Sequence, residues 1–240
     1  MDTFFSTILK RLNGKKLETS WGPRPYITLT FAQSLDGSIS IVPSESVALS
    51  NREALKMTHR LRASHDAILI GIGTLLADDP RLTVRLVDGE DPQPIVVDSH
   101  LRIPLTARLL KNAKKPWIAS TGDGLPGKAE QLKAAGAEVF EFSALPNGWV
   151  NLPEMLARLY QLGIRHLMVE GGARIIYSFL KEQLADQMVI TVAPLLLGGF
   201  RAVKNPELAN GHPWKHLANV EYCQLENNLV LRGDVMRENG

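Results

Sequence analysis

Residues 67–85 constrain this chain more than any other stretch. They open as an unbroken apolar run (Ala67, Ile68, Leu69, Ile70) and turn through Gly71-Ile72-Gly73-Thr74. They continue as Leu75-Leu76-Ala77-Asp78-Asp79-Pro80-Arg81-Leu82-Thr83-Val84-Arg85. A short apolar run bounded by glycine reads as a strand buried on both faces, the kind found in parallel sheets. The construction recurs far along the chain, where Leu167-Met168-Val169 runs into Glu170-Gly171-Gly172 and then a helical pattern. Two such strand ends predict one nucleotide-binding crevice between 67–70 and 164–169. Crevices of this kind form at the carboxyl ends of sheet strands, where backbone N–H groups and helix N-termini meet phosphate.

The rest of the pattern alternates strand and helix. Residues 26–31, 94–98, 117–119, 137–142, 164–169 and 187–193 read as strands, and 38–42 as a short return strand after the turn chemistry of Gln33-Ser34-Leu35-Asp36-Gly37. Ser50-Asn51-Arg52-Glu53 has capping-box spacing, with Ser50 and Glu53 satisfying free N–H groups at a helix start. The helix that follows carries Ala54, Met57, Thr58 and Leu61 on one face with Arg62 at its edge. Leu152, Met155, Leu156 and Leu159 repeat at i, i+3, i+4, i+7, and Gly163 supplies a C′ residue. Further helices are expected near 128–135 and 173–183. Two apolar runs near 219–226 and 229–236, joined by Asn227-Asn228, predict a terminal hairpin. The expectation is an α/β fold with a mostly parallel central sheet flanked by helices and an antiparallel C-terminal hairpin. Phe4, Ile8 and Leu12 give residues 2–13 helical spacing, so 1–24 reads as a helical extension and 25–240 as a single domain.

Composition narrows the function classes. At 240 residues with 45% hydrophobic and 22% charged side chains, the chain can bury a full core. The 27 basic against 25 acidic residues leave a formal charge of +2, without the dense basic stripe of a nucleic-acid binder. No apolar run approaches the ~20 residues that span a bilayer, and residues 1–5 lack the marks of a signal peptide. A single cysteine, Cys223, rules out an internal disulfide and a multi-cysteine zinc site. A cytoplasmic protein follows as the expectation.

Several side chains could carry chemistry, each with a plainer reading beside it. Gly71-x-Gly73 after a strand is half of a dinucleotide fingerprint, but Leu76 stands where the third glycine belongs, and a simple strand-to-helix turn fits as well. Thr74 and Asp78 are four apart and share a helix face, where they can hold a ribose or a carboxamide. Asp36 fits an Asx turn, or a site carboxylate at a strand end. Glu170 can complement a helix dipole, or hydrogen-bond an amine-rich ligand and pass a proton. Arg62, Arg81 and Arg85 are solvated arginines or receptors for an anionic group, since guanidinium suits bidentate phosphate contacts. Only His212 and His216 approach metal-ligand spacing, and Pro213 splits them. No Gly-x-Ser-x-Gly elbow or P-loop occurs.

Taken in order, residues 26–37 (YITLTFAQSLDG), 67–85 (AILIGIGTLLADDPRLTVR), 94–99 (PIVVDS), 169–172 (VEGG) and 193–199 (APLLLGG) resemble the reductase of riboflavin biosynthesis. That enzyme occurs alone or as the C-terminal half of a bifunctional deaminase–reductase, and the likeness runs from about residue 25 to 235 of this chain. The resemblance implies a dihydrofolate-reductase-like fold, a homodimer and NADPH as cofactor. It places Ala48, Thr74, Asp78, Ser99 and the run Gly171, Gly172, Ala173, Arg174 and Ile175 against NADPH. It places Ser46, Arg62, Leu82, Arg85 and Glu170 against a ribosylaminopyrimidinone 5′-phosphate. Thr30 and Ala48 depart from the fused bacterial pattern, where lysine and tryptophan can stand. The deaminase half is missing, which matches the stand-alone enzymes that reduce the pyrimidine before deamination.

The implied reaction is hydride transfer from NADPH to C1′ of the ring-opened ribosylamine, with the proton passed by Asp36, Glu170 or water. Two alternatives stay open: an NADPH reductase acting on another heterocycle or imine, and a non-catalytic nucleotide-binding module. Ser99, Arg102 and Ser120-Thr121 are the candidates for reading a 2′-phosphate. A sheet edge or the apolar loop 193–199 could form the dimer contact.

Overall fold

The computed structural model describes residues 2–12, 17–19, 22–42, 45, 47–203 and 216–236. In chain order the elements are α1 (Asp2–Leu12), β1 (Leu17–Thr19), β2 (Gly22–Arg24), β3 (Tyr26–Ser34), β4 (Ser38–Ser40), α2 (Arg52–Ala63), β5 (Ala67–Gly71) and α3 (Ile72–Asp78). There follow β6 (Gln93–Val97), a 3-10 turn (Arg108–Lys111), β7 (Trp117–Ser120), α4 (Lys128–Ala134), β8 (Glu138–Glu141), α5 (Leu152–Gln161) and β9 (His166–Glu170). The chain closes with α6 (Ala173–Lys181), β10 (Gln187–Ala193), β11 (Phe200–Arg201), β12 (Leu217–Leu225) and β13 (Asn228–Val235). The fold is α/β, with mostly parallel strands, flanking helices and antiparallel C-terminal strands.

The chain divides into two compact units, one of residues 1–15, 26–58 and 169–240, the other of 16–25 and 59–168. In the first, β3 pairs in parallel with β10, β10 pairs antiparallel with β13, and β13 with β12. The hairpin turns at Glu226-Asn227, with Leu225 paired to Asn228, one residue earlier than the Asn-Asn spacing predicts. Asn228 is withdrawn from that turn because its side chain is buried. Its Oδ1 accepts the Asn51 N–H at 2.7 Å, and its Nδ2 donates to the Leu49 carbonyl at 3.2 Å. Helix α1 buries Phe4, Ile8 and Leu12, the face that its spacing implied.

The start of α2 corrects the capping-box expectation. The cap is Asn51, whose Oδ1 accepts the Ala54 N–H at 2.9 Å, while Glu53 pairs with Lys56 at 2.6 Å. Asn51 wins because its amide also donates to the Leu225 carbonyl at 2.7 Å, a partner that a serine hydroxyl at position 50 does not reach.

In the second unit β5, β6, β7 and β8 run parallel in that order. All five residues of β5 are buried, as a parallel strand covered on both faces must be. Ile68, Ile70, Val96 and Ile118 from these strands pack with Leu75 of α3 and Leu82 in one apolar cluster. Asp66 sets the register beside this sheet: its Oδ2 accepts the Arg165 and His166 N–H groups, each at 2.8 Å. Asn151 caps α5 through the Glu154 N–H, and Leu152, Met155, Leu156 and Leu159 are all buried. Residues 17–19 and 22–24, placed by the sequence in a helical extension, instead form the antiparallel pair β1–β2, with β2 against α5.

Candidate functional site

The residues after α3 help to build a charged cleft. Helix α3 stops because Asp79 enters the left-handed region (φ 41°), returning its N–H to the Leu75 carbonyl, and Pro80 follows. Residues 80–85 then run without regular structure. Leu82 is also left-handed (φ 59°) yet 1% exposed. That backbone costs a non-glycine residue roughly 1–2 kcal/mol, whereas burying a leucine side chain is worth about 1.5–3 kcal/mol. Burial wins, and Leu82 becomes a peg in the core.

Side chains from three directions latch this strap. Arg62 Nη1 donates to the Thr83 carbonyl at 3.1 Å, and Asp91 Oδ1 accepts the Val84 N–H at 2.6 Å. His59, 3% exposed, accepts the Arg85 N–H on Nδ1 at 3.0 Å. From the 3-10 turn, the Arg108 N–H donates to Asp79 Oδ1 at 2.9 Å, and Asn112 Nδ2 donates to the Arg81 carbonyl at 2.6 Å. With its backbone so held, the strap presents its arginines. Arg62, Asp78, Arg81, Leu82, Arg85 and Arg108 line a cleft of about 440 Å³. Burial, and then the charges of Arg62, Arg81 and Arg108, push the Arg85 guanidinium below its ordinary pKa, with Asp91 opposing. It stays charged at neutral pH. The cleft sets four guanidinium groups against the single carboxylate of Asp78, an excess of positive charge that suits an anion.

The structure thus brings Arg62, Arg81, Leu82 and Arg85 together with Asp78, and adds Arg108. Thr74 and Asp78 both lie on α3, one turn apart. Ser99 forms a separate cluster with Ser120 and Thr121. Its carbonyl accepts both hydroxyls, at 3.0 and 2.8 Å, and its own Oγ accepts the Val150 N–H at 3.2 Å. The preceding Asp98 is fully buried. Its Oδ2 takes the Ile103 N–H at 2.8 Å, its Oδ1 has no hydrogen-bond partner among the described residues, and burial pushes its carboxyl above the usual range. Arg102 stands 3.7 Å from that oxygen.

In the other unit, Asp36 is saturated. Its carboxylate accepts the Ser34 hydroxyl (2.5 Å), the Ser38 hydroxyl (2.9 Å) and the Leu197 and Gly198 N–H groups (3.0 and 2.9 Å). The Ser34 hydroxyl first, then the Leu197 N–H, hold it well below the usual carboxylate range. The turn reading and the site reading meet here: Asp36 closes its own turn and clamps the loop 194–199. Gly199 lies in that loop so close to β4 that an added Cβ would stand 2.2 Å from the Ser40 carbonyl. Glu170 ends β9, half-buried, and Gly171 and Gly172 lead into α6. A Cβ on Gly171 would meet Ile175 Cγ2 at 3.0 Å, so glycine lets the helix pack against the strand end. Ile175 is buried in that contact, while Ala173 is half-buried and Arg174 exposed. Ala48 is exposed, Thr30 is buried, and Ser46 and His212 lie outside the described residues.

A description of the RibD C-terminal domain matches residues 25–231. The chain belongs to the RibD C-terminal domain family. This RibD-type chain is 40% identical over 208 residues to the 2,5-diamino-6-ribosylamino-4(3H)-pyrimidinone 5′-phosphate reductase of Archaeoglobus fulgidus, covering 82% of this chain and 92% of that one. It is 41% identical over 176 residues to the riboflavin biosynthesis protein RibD of Aquifex aeolicus, covering 73% of this chain and 48% of the relative. It therefore spans about half the length of that RibD protein. Among solved structures, the riboflavin biosynthesis reductase Rib7 of Saccharomyces cerevisiae superposes with a TM-score of 0.76 at 26% identity, covering 98% of each chain.

Sequence reasoning missed four residues that fasten the strap, one of which, Arg108, also lines the cleft. His59 was findable, since it stands three residues before Arg62 on one helix face. Asp91, Arg108 and Asn112 carry no spacing signal. They join the strap only through hydrogen bonds that the fold creates.

Proposed function

We propose that this chain is a reductase of the phosphorylated pyrimidine intermediate of riboflavin biosynthesis, 2,5-diamino-6-ribosylamino-4(3H)-pyrimidinone 5′-phosphate, with NADPH as reductant. The observation that carries the reading is the arginine-lined cleft, because the strap that forms it is the segment bearing the family motif. Arg62 and Arg85 hold the 5′-phosphate there, Leu82 walls the cleft, and Glu170 orients the amino groups of the pyrimidine. Asp36, ionised and fully engaged, acts by positioning the loop 194–199. The proton that reaches the substrate nitrogen comes from Glu170 or a water that it orients.

The start of α6 fits a dinucleotide diphosphate: no side chain caps it, no acid lies in its first turn, and Arg174 stands exposed there. Gly171 to Ile175 would hold that group, with Thr74, Asp78 and Ser99 as its other proposed contacts. When bound, NADPH supplies the hydride that converts C1′ of the ring-opened ribosylamine to the ribitylamine. The proposed enzyme is a homodimer. The exposed Leu35, Ile41, Leu195 and Leu196 support an interface at the 194–199 loop, and a monomer in sedimentation velocity would rule it out.

Steady-state kinetics test the assignment. Losing a charge-assisted bidentate contact costs about 1.5–3 kcal/mol, so Arg85→Ala should raise the substrate KM by roughly 10–150-fold while NADPH affinity holds. Equal weakening of both ligands would remove the phosphate from this cleft.

A further inference from the structure

The 3-10 turn Arg108–Lys111 lies outside every motif that marks the family, yet its first residue faces the same cleft. Its position there is built. Asp79 takes the Arg108 N–H and Asn112 takes hold of the Arg81 carbonyl, so the turn is fastened to the strap at two points. Among the described residues no ion pair engages the guanidinium of Arg81, Arg85 or Arg108. The Asp79 carboxylate takes the backbone N–H of Arg108 and not its guanidinium.

We infer that Arg108 is a further substrate-binding residue, which with Arg81 completes a four-guanidinium receptor for a phosphomonoester dianion. The inference rests on the reading above for the identity of the phosphorylated ligand. Three arguments carry it. A phosphomonoester near neutral pH holds about 1.5–2 negative charges, and the cleft lining sets four guanidinium groups beside the single carboxylate of Asp78. Three terminal oxygens also offer more acceptor positions than two bidentate arginines fill. Finally, crowding like charges is unfavourable: after burial, the charges of Arg62, Arg81 and Arg108 push the Arg85 guanidinium below its ordinary pKa, and a bound dianion removes that repulsion. The consequence is specificity: Arg108 and Arg81 set how strongly the enzyme prefers the phosphorylated pyrimidine to its dephosphorylated nucleoside.

The test measures inorganic phosphate as a competitive inhibitor, together with kcat/KM for the phosphorylated and dephosphorylated pyrimidines. It compares wild type, Arg108→Ala, Arg108→Lys and Arg85→Ala. Arg108→Ala should lower the phosphorylated-to-dephosphorylated preference by about tenfold or more, as loss of a charged hydrogen bond does. Phosphate inhibition should weaken in parallel, with NADPH affinity unchanged and part of the loss restored by Arg108→Lys. If Arg108→Ala keeps its preference and phosphate inhibition while Arg85→Ala loses both, the inference falls and the phosphate cleft stands. If neither variant changes phosphate inhibition, the cleft assignment itself fails. An equal loss on both substrates would mean that Arg108 only supports the fold, which also overturns the inference. Should Arg108→Ala be unfolded by its melting curve, the same comparison is decided on Arg108→Lys.

Discussion

Replacing His59 with alanine should weaken the 80–85 strap. The imidazole is 3% exposed and its Nδ1 is the acceptor for the Arg85 N–H at 3.0 Å. Removing the acceptor from this part-buried N–H costs about 1–3 kcal/mol, and losing the packed ring adds roughly 1 kcal/mol of burial. For a chain of this size a total near 2–4 kcal/mol lowers Tm by roughly 5–15 °C. The functional effect is more specific than the stability effect. Arg85 would then be held by its guanidinium contact to Thr83 Oγ1 at 2.8 Å and by its chain neighbours, with its own amide released. His59→Ala should therefore raise the substrate KM several-fold at unchanged NADPH affinity, with kcat altered less than KM. His59→Gln, which keeps a carbonyl acceptor, should recover part of the KM. Differential scanning calorimetry and initial-rate kinetics on the three proteins decide it. An alanine variant with wild-type Tm and KM, or a glutamine variant no better than alanine, would refute the idea that this hydrogen bond positions Arg85.

Two buried or engaged carboxylates give opposite pH signatures. Burial raises the Asp98 carboxyl, so its contribution is fully present below the unfolded value and is lost as pH rises through the folded one. Asp98→Asn should thus have a higher urea midpoint than wild type at pH 7, with the two converging below about pH 4; a lower midpoint at pH 7 would mean that the Arg102 contact outweighs burial. Asp36 is held well below the usual range, so its contribution is present above about pH 4 and disappears as pH falls towards the folded value. Asp36→Asn should be less stable than wild type at pH 7 and should expose the 194–199 loop to faster amide exchange at Leu197 and Gly198; unchanged exchange there would rule out the clamp.

Much of the architecture was legible because local physics is periodic. Five consecutive apolar or small residues in β5 leave no polar face, so the strand had to be covered on both sides. Leu152, Met155, Leu156 and Leu159 mark a helix face whatever lies opposite, and Asn151 caps it from the adjacent position. The grouping of Arg62, Leu82 and Arg85 came from the resemblance to a known family and not from spacing or periodicity. The misreadings arose where a side chain is captured from afar. Ser50 and Glu53 have the spacing of a cap, but Asn51 takes that role because it reaches the Leu225 carbonyl 174 residues on. Asp36 satisfies its own turn with Ser34 and Ser38, while its hold on Leu197 spans 161 residues. Arg108 lines the cleft from outside the motif segments, its amide held by Asp79. Hydrophobic spacing therefore determined which segments became strands and helices, since burial of a face depends on neighbours a few residues away. Tertiary structure alone decided which donors meet which carboxylates, because a hydrogen bond requires two groups within about 3 Å and separation along the chain says nothing of that distance.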